Sequence, residues 1–255
     1  MLWESIAFGP IKSRRLGSSL GINLLPVVKK ICSFDCIYCE CGWTLESNMD
    51  TSQFYTLAEV NEAIETKLIQ CKTDQIPIDS ITFSGNGEPT LHPQFLEIID
   101  HLMVLRDQYY PKAVITCLSN STQLYREDVR EALLKIENPI LKLDAATEEM
   151  YQIINVPLQN CSLNQIIDWL KLFEGKFILQ TLFFAGDSGG VPFDNSKEPH
   201  LSKWLDVVQI LKPKKVMLYS LDRETPAQNL IKKSKDEMEV IAQKIRAFGI
   251  PTSVF

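Results

Sequence analysis

The stretch Cys32-Ser-Phe-Asp-Cys36-Ile-Tyr-Cys39 places three thiols in one short loop at C-x3-C-x2-C spacing. Three thiolates can hold three corners of a cubic iron-sulfur cluster, whereas an ordinary electron-transfer cluster is held by four. The fourth iron is then open to another ligand, and an incomplete protein ligand set points to chemistry rather than scaffolding. Cys41 follows two positions later. If its thiolate reached the fourth iron, the site would close, and the chain would be a four-cysteine iron-sulfur or zinc protein for binding or electron transfer. Spacing alone does not exclude this. A non-ligand or substrate-side Cys41 is favoured because the turn Ser84-Gly85-Asn86-Gly87-Glu88-Pro89 would otherwise have no partner. Glycines there permit positive φ and close approach of the backbone to a ligand, and Glu88 can accept a hydrogen bond from a cationic amine.

The elements that must position these residues follow from periodicity. Apolar, β-favouring runs recur at Leu20 to Leu25, Ser80 to Phe83, Ala113 to Leu118, Ile140 to Leu143, Phe177 to Phe184 and Lys215 to Leu221. Between them, Thr56-Leu-Ala-Glu59, Ser162-Leu-Asn-Gln165 and Ser234-Lys-Asp-Glu237 match the capping box and each open a helix. Val60, Ile64 and Leu68 then form an apolar stripe at helical spacing. Pro93 to Arg106, Glu127 to Glu137, Leu201 to Leu211 and Asp236 to Phe248 also read as helices. Alternation of strand and helix along the whole chain implies an α/β fold with a mostly parallel sheet and right-handed crossovers. Six strands predict a partial (β/α)6 TIM-type barrel, with ligands gathered at the C-terminal strand ends. The cysteine loop follows the first strand and the glycine turn the second. Ala185 to Pro199, rich in glycine and proline, reads as a surface loop or a lid over the barrel mouth.

Together these motifs resemble the radical SAM superfamily. The resemblance implies a 4Fe-4S cluster on Cys32, Cys36 and Cys39, with Tyr38 beside the adenine of S-adenosylmethionine (SAM). It aligns Asn86-Gly87-Glu88 with a Gly-Gly-Glu motif that contacts the methionyl amino group, so Asn86 departs from the pattern, and Gly85 belongs to the same turn. Ser119-Asn120-Ser121-Thr122 is similar to a polar segment that touches SAM, and Asp144, in Lys142-Leu-Asp144-Ala145, would hold ribose hydroxyls. The bland alternatives are a turn residue bonding its own backbone for Asn120 and a helix N-terminal charge for Asp144. More narrowly, Phe8-Gly-Pro-Ile-Lys-Ser-Arg14-Arg15-Leu-Gly17, Gly21-Ile-Asn, Asn155-Val-Pro157 and Leu221-Asp-Arg223 resemble iron-sulfur oxidoreductases related to wyosine synthases. The reaction implied is reductive cleavage of SAM to a 5'-deoxyadenosyl radical that abstracts hydrogen from a substrate. An external one-electron donor such as flavodoxin or ferredoxin is implied as a partner. The substrate is open among RNA, protein and a small molecule, with RNA base modification following the wyosine-like resemblance.

Size and composition fit this reading. A chain of 255 residues, 45% hydrophobic, suits one barrel domain of roughly 250 residues, and residues 1–255 are expected to form a single radical SAM core. No second cysteine-rich segment suggests an auxiliary-cluster domain. No apolar run approaches the roughly 18 residues of a membrane span and no leader pattern is visible, so a cytoplasmic protein is expected. Seven cysteines, four of them between Cys32 and Cys41, suggest metal binding rather than a disulfide framework. Cys71, Cys117 and Cys161 read as buried small hydrophobes. The charge of -6 argues weakly against a broad nucleic-acid surface. Lys12, Arg14, Arg15, Lys29 and Lys30 form either a local basic patch or a solvated face. Arg14, Arg15 and Arg223 suit a phosphate or carboxylate, with surface ion pairs slightly preferred. His92, His101 and His200 lack a nucleophile partner and read as structural, His92 lying nearest the glycine turn.

Overall fold

The computed structural model describes residues 2–44 and 53–255. They fall into two compact units, 2–32 with 44, 53–119 and 125–139, and 33–43 with 120–124 and 140–255. Each alternates strands with helices, and most paired strands run parallel, as a partial (β/α)6 barrel requires.

In the first unit, β1 (Ala7–Ser13) and β2 (Gly17–Ile22) form an antiparallel pair. β2 runs parallel to β3 (Ser80–Phe83), and β3 parallel to β4 (Val114–Ser119). The helices are α1 (Leu57–Thr73), α2 (Phe95–Tyr109) and α3 (Glu127–Lys135). Thr56 starts α1 through the expected capping box, and Val60, Ile64 and Leu68 are fully buried. Each such side chain removed from water stabilises the fold by about 1.5–3 kcal/mol. Alternation gives β3 two chemically different faces. Phe83 packs its ring edge-on to Phe95 of α2, while Thr82 meets Ser19 at 2.8 Å and Ser80 meets Thr116 at 2.9 Å. β1 was not expected because Gly9-Pro10 interrupts its pattern. Pairing slips between Phe8 and Ile11 there, and proline is tolerated at a sheet edge, where an amide hydrogen can be missing without loss of a ladder bond.

In the second unit, β5 (Asn138–Lys142, entering the unit at Ile140), β6 (Ile178–Leu182), β9 (Lys215–Tyr219) and β11 (Thr252–Val254) pair in parallel in that order. The helices are α4 (Glu148–Asn155), α5 (Leu163–Lys171), α6 (His200–Leu211) and α7 (Lys235–Arg246). Register sets Lys142, Gln180 and Met217 in one row. Strand alternation adds Asp144 and Tyr219 to the same face and turns Leu141, Leu179, Val216 and Leu218 to the other.

Ala185–Pro199 is not a plain loop but carries structure of its own. It contains β8 (Val191–Asp194) and most of β7 (Phe184–Ser188), which pair antiparallel around Gly189-Gly190. Both glycines have positive φ, at 63° and 87°, as a tight two-residue hairpin turn requires. β10 (Ile231–Lys232) extends this small sheet on the other side of β7. Two smaller expectations also fail. Cys71 and Cys117 are buried, but Cys161 is half-exposed in the approach to α5. Lys30 is buried and so belongs to no solvated basic face. No helix among the described residues is long and apolar enough to cross a membrane.

Candidate active site

The first unit holds Cys32 beside the glycine turn through its neighbour Ile31. Ile31 N donates to Asn86 O at 2.9 Å, and Glu88 N donates to Ile31 O at 3.1 Å. This bridge explains Gly87. Its φ is +138°, and a Cβ there would lie 1.7 Å from Ile31 O. Gly85, at φ +146°, would likewise drive a Cβ to 2.4 Å from Asn23 Oδ1. Asn86 is a staple. Its Nδ2 donates to Trp3 O at 2.9 Å and Pro26 O at 3.0 Å, and its Oδ1 accepts from Trp3 N at 2.8 Å. Glu88 is 2% exposed. Its Oε1 accepts from Ser119 Oγ at 2.9 Å, from Thr90 N at 3.2 Å and from the Thr90 hydroxyl, capping the short helical turn Pro89–Leu91. His92 is structural as expected, bonded through Nε2 to Tyr55 O and through Nδ1 to Gln94 N.

In the second unit, the rest of the cysteine loop is laid against the end of α4. Asp35 N donates to Asn155 O and Val156 O, Ile37 N to Ile154 O, and Leu158 N to Ser33 O. α4 stops here because Val156 takes a left-handed conformation and Pro157 follows. Cys39 N donates to Cys36 O and Gly42 N to Cys39 O, so two successive turns carry Cys36 to Gly42. Asn155 Nδ2 donates to Cys36 Sγ at 3.6 Å and to Asp144 Oδ2 at 3.2 Å. The same Oδ2 accepts from the Tyr38 hydroxyl and lies 3.6 Å from Lys142 Nζ, while Oδ1 accepts from Leu182 N at 2.9 Å. Lys142 Nζ stands 4.2 Å from the Tyr38 ring centroid and 5.3 Å from that of Tyr219.

These contacts set the local electrostatics. Burial pushes the Cys36 thiol up to about 11, against a downward pull from the Lys142 charge; Cys39 adds to the rise. Burial and then Asp144 hold the Tyr38 phenol well above its ordinary value. Burial opposes charge on Lys142, but Asp144, Tyr219 and Cys36 outweigh it and hold the ammonium above the usual lysine range.

The sequence-predicted residues therefore gather as two groups. Cys32 shares the first unit with Gly85, Asn86, Gly87 and Glu88, and Tyr38, Asp144, Cys36 and Cys39 share the second with Asn120. Asn120 makes the turn expected as its bland alternative, accepting at Oδ1 from Thr122 N at 3.0 Å and Thr122 Oγ1 at 2.8 Å; its Nδ2 also donates to Ser33 Oγ at 2.9 Å. Arg223 pairs with Glu40 at 2.8 Å, both exposed, which is the surface ion pair preferred above. His200 Nδ1 bonds Thr147 Oγ1 at 2.9 Å. Asn155, Lys142 and Tyr219 were given no role from sequence. A lysine inside the apolar run Ile140-Leu-Lys-Leu was the available signal, because a charge in a buried strand needs a partner.

The residues present suit an iron-sulfur cluster. A half-buried sulfur that takes an amide hydrogen and lies beside an ammonium is a favourable place for an iron-bound thiolate, whose charge both groups stabilise. Among the described residues, no three His, Cys, Asp or Glu side chains converge where one metal ion could sit. A cubic cluster takes one thiolate per corner and does not need that convergence.

Comparison with known proteins agrees with the resemblance. Residues 27–184 match the family model described as the radical SAM superfamily. A UPF0026 protein of Methanocaldococcus jannaschii is 32% identical over 249 residues, covering 96% of this chain and 71% of that protein. Among solved structures, a radical SAM methyltransferase from Sphaerobacter thermophilus matches with TM-score 0.67 and 16% identity over 93% of this chain. The chain spans 65% of that methyltransferase's length. Archaeal TYW1 matches with TM-score 0.53 and 14% identity, over 90% of this chain and 71% of that one. These two likenesses concern the fold. The family match spans more than half of the sequence and includes the cysteine loop and the glycine turn, so the chain belongs to the radical SAM superfamily, enzymes that use a 4Fe-4S cluster and S-adenosylmethionine.

Proposed function

We propose that residues 1–255 act as a single radical SAM core in which Cys32, Cys36 and Cys39 hold the cluster and the glycine turn receives SAM. The observation that carries this reading is the Ile31 bridge, which ties the backbone before Cys32 to the turn that ends in Glu88. A cluster ligand and an amine acceptor are thereby fixed to one another within one unit. The cluster and SAM supply the reactive chemistry when bound, one-electron cleavage of the sulfonium to a 5'-deoxyadenosyl radical that takes hydrogen from the substrate.

The chain's own residues bind and orient. Glu88, held by Thr90 and Ser119, presents a carboxylate to the methionyl amine. Gly85 and Gly87 let the backbone approach, while Asn86 acts by stapling the turn rather than by touching the ligand. Tyr38 offers its ring to the adenine; its hydroxyl is anchored on Asp144, which sets the ring's angle. Asp144 and Asn120 line the ribose side. An external one-electron donor such as flavodoxin or ferredoxin completes the oxidoreductase cycle in the cytoplasm.

Anaerobic, cluster-reconstituted protein given SAM and dithionite should release 5'-deoxyadenosine, and fractions of RNA, protein and small molecules should be screened for stimulation of that release. Cys36→Ala should lose the cluster's visible absorbance. An intact cluster with no 5'-deoxyadenosine would defeat the enzymatic reading. Colourless protein carrying one zinc after attempted reconstitution would instead support closure by Cys32, Cys36, Cys39 and Cys41.

A further inference from the structure

One amide joins the cysteine loop to the charged residues around it. Asn155 is 4% exposed, and its Nδ2 has two acceptors, Cys36 Sγ at 3.6 Å and Asp144 Oδ2 at 3.2 Å. The orientation is determined by chemistry. The Asp144 carboxylate only accepts, so turning the amide over would set its oxygen against an electron-rich atom. Asp144 is itself fixed by Tyr38, Lys142 and Leu182 N, so the amide is held from behind. The backbone of Asn155 adds a second attachment, since its carbonyl accepts from Asp35 N at 3.1 Å, one residue before Cys36.

We infer that Asn155 is a positioning residue for the iron-sulfur centre, raising the reduction potential of a cluster bound through Cys36 by donating its amide hydrogen to that sulfur. The inference rests on the cluster assignment proposed above. On reduction, one electron passes from an external one-electron reductant to the cluster, no bond breaks, and the cluster gains one negative charge shared with its sulfur ligands. A hydrogen-bond donor at sulfur stabilises that added charge more than the oxidised state, so the potential rises. Because the other hydrogen of the same nitrogen is committed to Asp144, a ligand that pulls on Asp144 or Tyr38 would change the bond to sulfur. The amide therefore links occupancy of the nucleotide side to the ease of reduction.

The test is a potentiometric titration of reconstituted protein with dithionite, following the reduced cluster by electron paramagnetic resonance. Asn155→Leu keeps the volume and removes both donors. Its midpoint should shift to more negative potential at full iron content, and Asn155→Gln, which retains an amide, should recover part of the shift. A leucine variant with full iron and the wild-type midpoint would overturn the inference. If that variant fails to fold, wild-type protein carrying 15N-asparagine supplies a second measurement. Pulsed resonance of its reduced cluster should show coupling to a side-chain 15N, and no such coupling would also overturn it. Failure of wild-type protein to take up any cluster would instead bring down the ligand assignment itself.

Discussion

The glycine turn of the first unit and the Asp144 group of the second both lie just past the C-terminal end of a parallel strand, and both centre on buried side chains, Asn86 and Glu88 in one and Asp144 in the other, but they are closed by different chemistry. Asn86 is neutral and spends its side chain on backbone groups, those of Trp3 and Pro26. Asp144 is held by side chains that ionise or bear a polar tip, Lys142, Tyr38 and Asn155, with one backbone amide from Leu182. A neutral staple is complete in itself and works as scaffold. A buried ion pair is conditional, because each partner is tolerable only while the other is present. Groups of that kind, with shifted proton affinities, mark places where ligands act. In this molecule the second unit holds the ionised group and the first holds the rigid frame for Glu88.

The largest effect that would break this contrast is expected at Asp144. Its side chain is 0% exposed and that of Lys142 is 19% exposed, so Asp144→Ala leaves an ammonium almost without solvent or counter-charge. Removing one partner of a buried pair costs about 3–5 kcal/mol. Urea denaturation of cluster-free protein should show a loss of that order. Lys142→Met in the same chain should recover much of it, because the stranded charge goes too. Equal losses in the single and double variants would mean that the pair is not what holds this region.

A smaller loss is expected at Asn86. Asn86→Gly installs the glycine that the resemblance implies for this position and removes three side-chain hydrogen bonds. The loss should be about 1–3 kcal/mol, since buried backbone groups at Trp3 and Pro26 lose their partner. Hydrogen exchange at the Trp3 amide should accelerate, while the cluster's absorbance stays. A variant as stable as wild type would show that the staple is redundant.

Much of the fold was legible because it depends on local pattern. All six parallel strands expected from apolar runs are present, and the capping boxes at Thr56, Ser162 and Ser234 each start a helix. The turn role of Asn120 was also legible, since its acceptor contacts lie two residues away. What escaped was short or distant. α4 has eight residues and was missed, although its last residue, Asn155, reaches Cys36 across 119 positions. Asp144 reads locally as a helix N-terminal charge, whereas its anchor Tyr38 is 106 positions away. The β7–β8 hairpin reads in the sequence as a turn-rich loop or lid, because Gly186 and Pro192 dilute the alternation of its strands and leave only the turn signal of Gly189-Gly190.

The smallest expected effect sharpens the contrast by its sign. Gln180 lies in register between Lys142 and Met217, is 5% exposed, and its Nε2 has no hydrogen-bond partner among the described residues. A buried donor left unmade destabilises by about 1–3 kcal/mol. Leucine has nearly the same volume and no donor, so Gln180→Leu should leave thermal stability unchanged or raise it by about 1 kcal/mol. Substitutions in a packed interior usually destabilise, which makes this direction informative. A stable Leu variant would mean that the inward row of the second unit carries polarity beyond what folding requires, as residues that serve a ligand do. A loss of more than about 1 kcal/mol would mean that the amide is satisfied from within, by bound water, and that this row is structural.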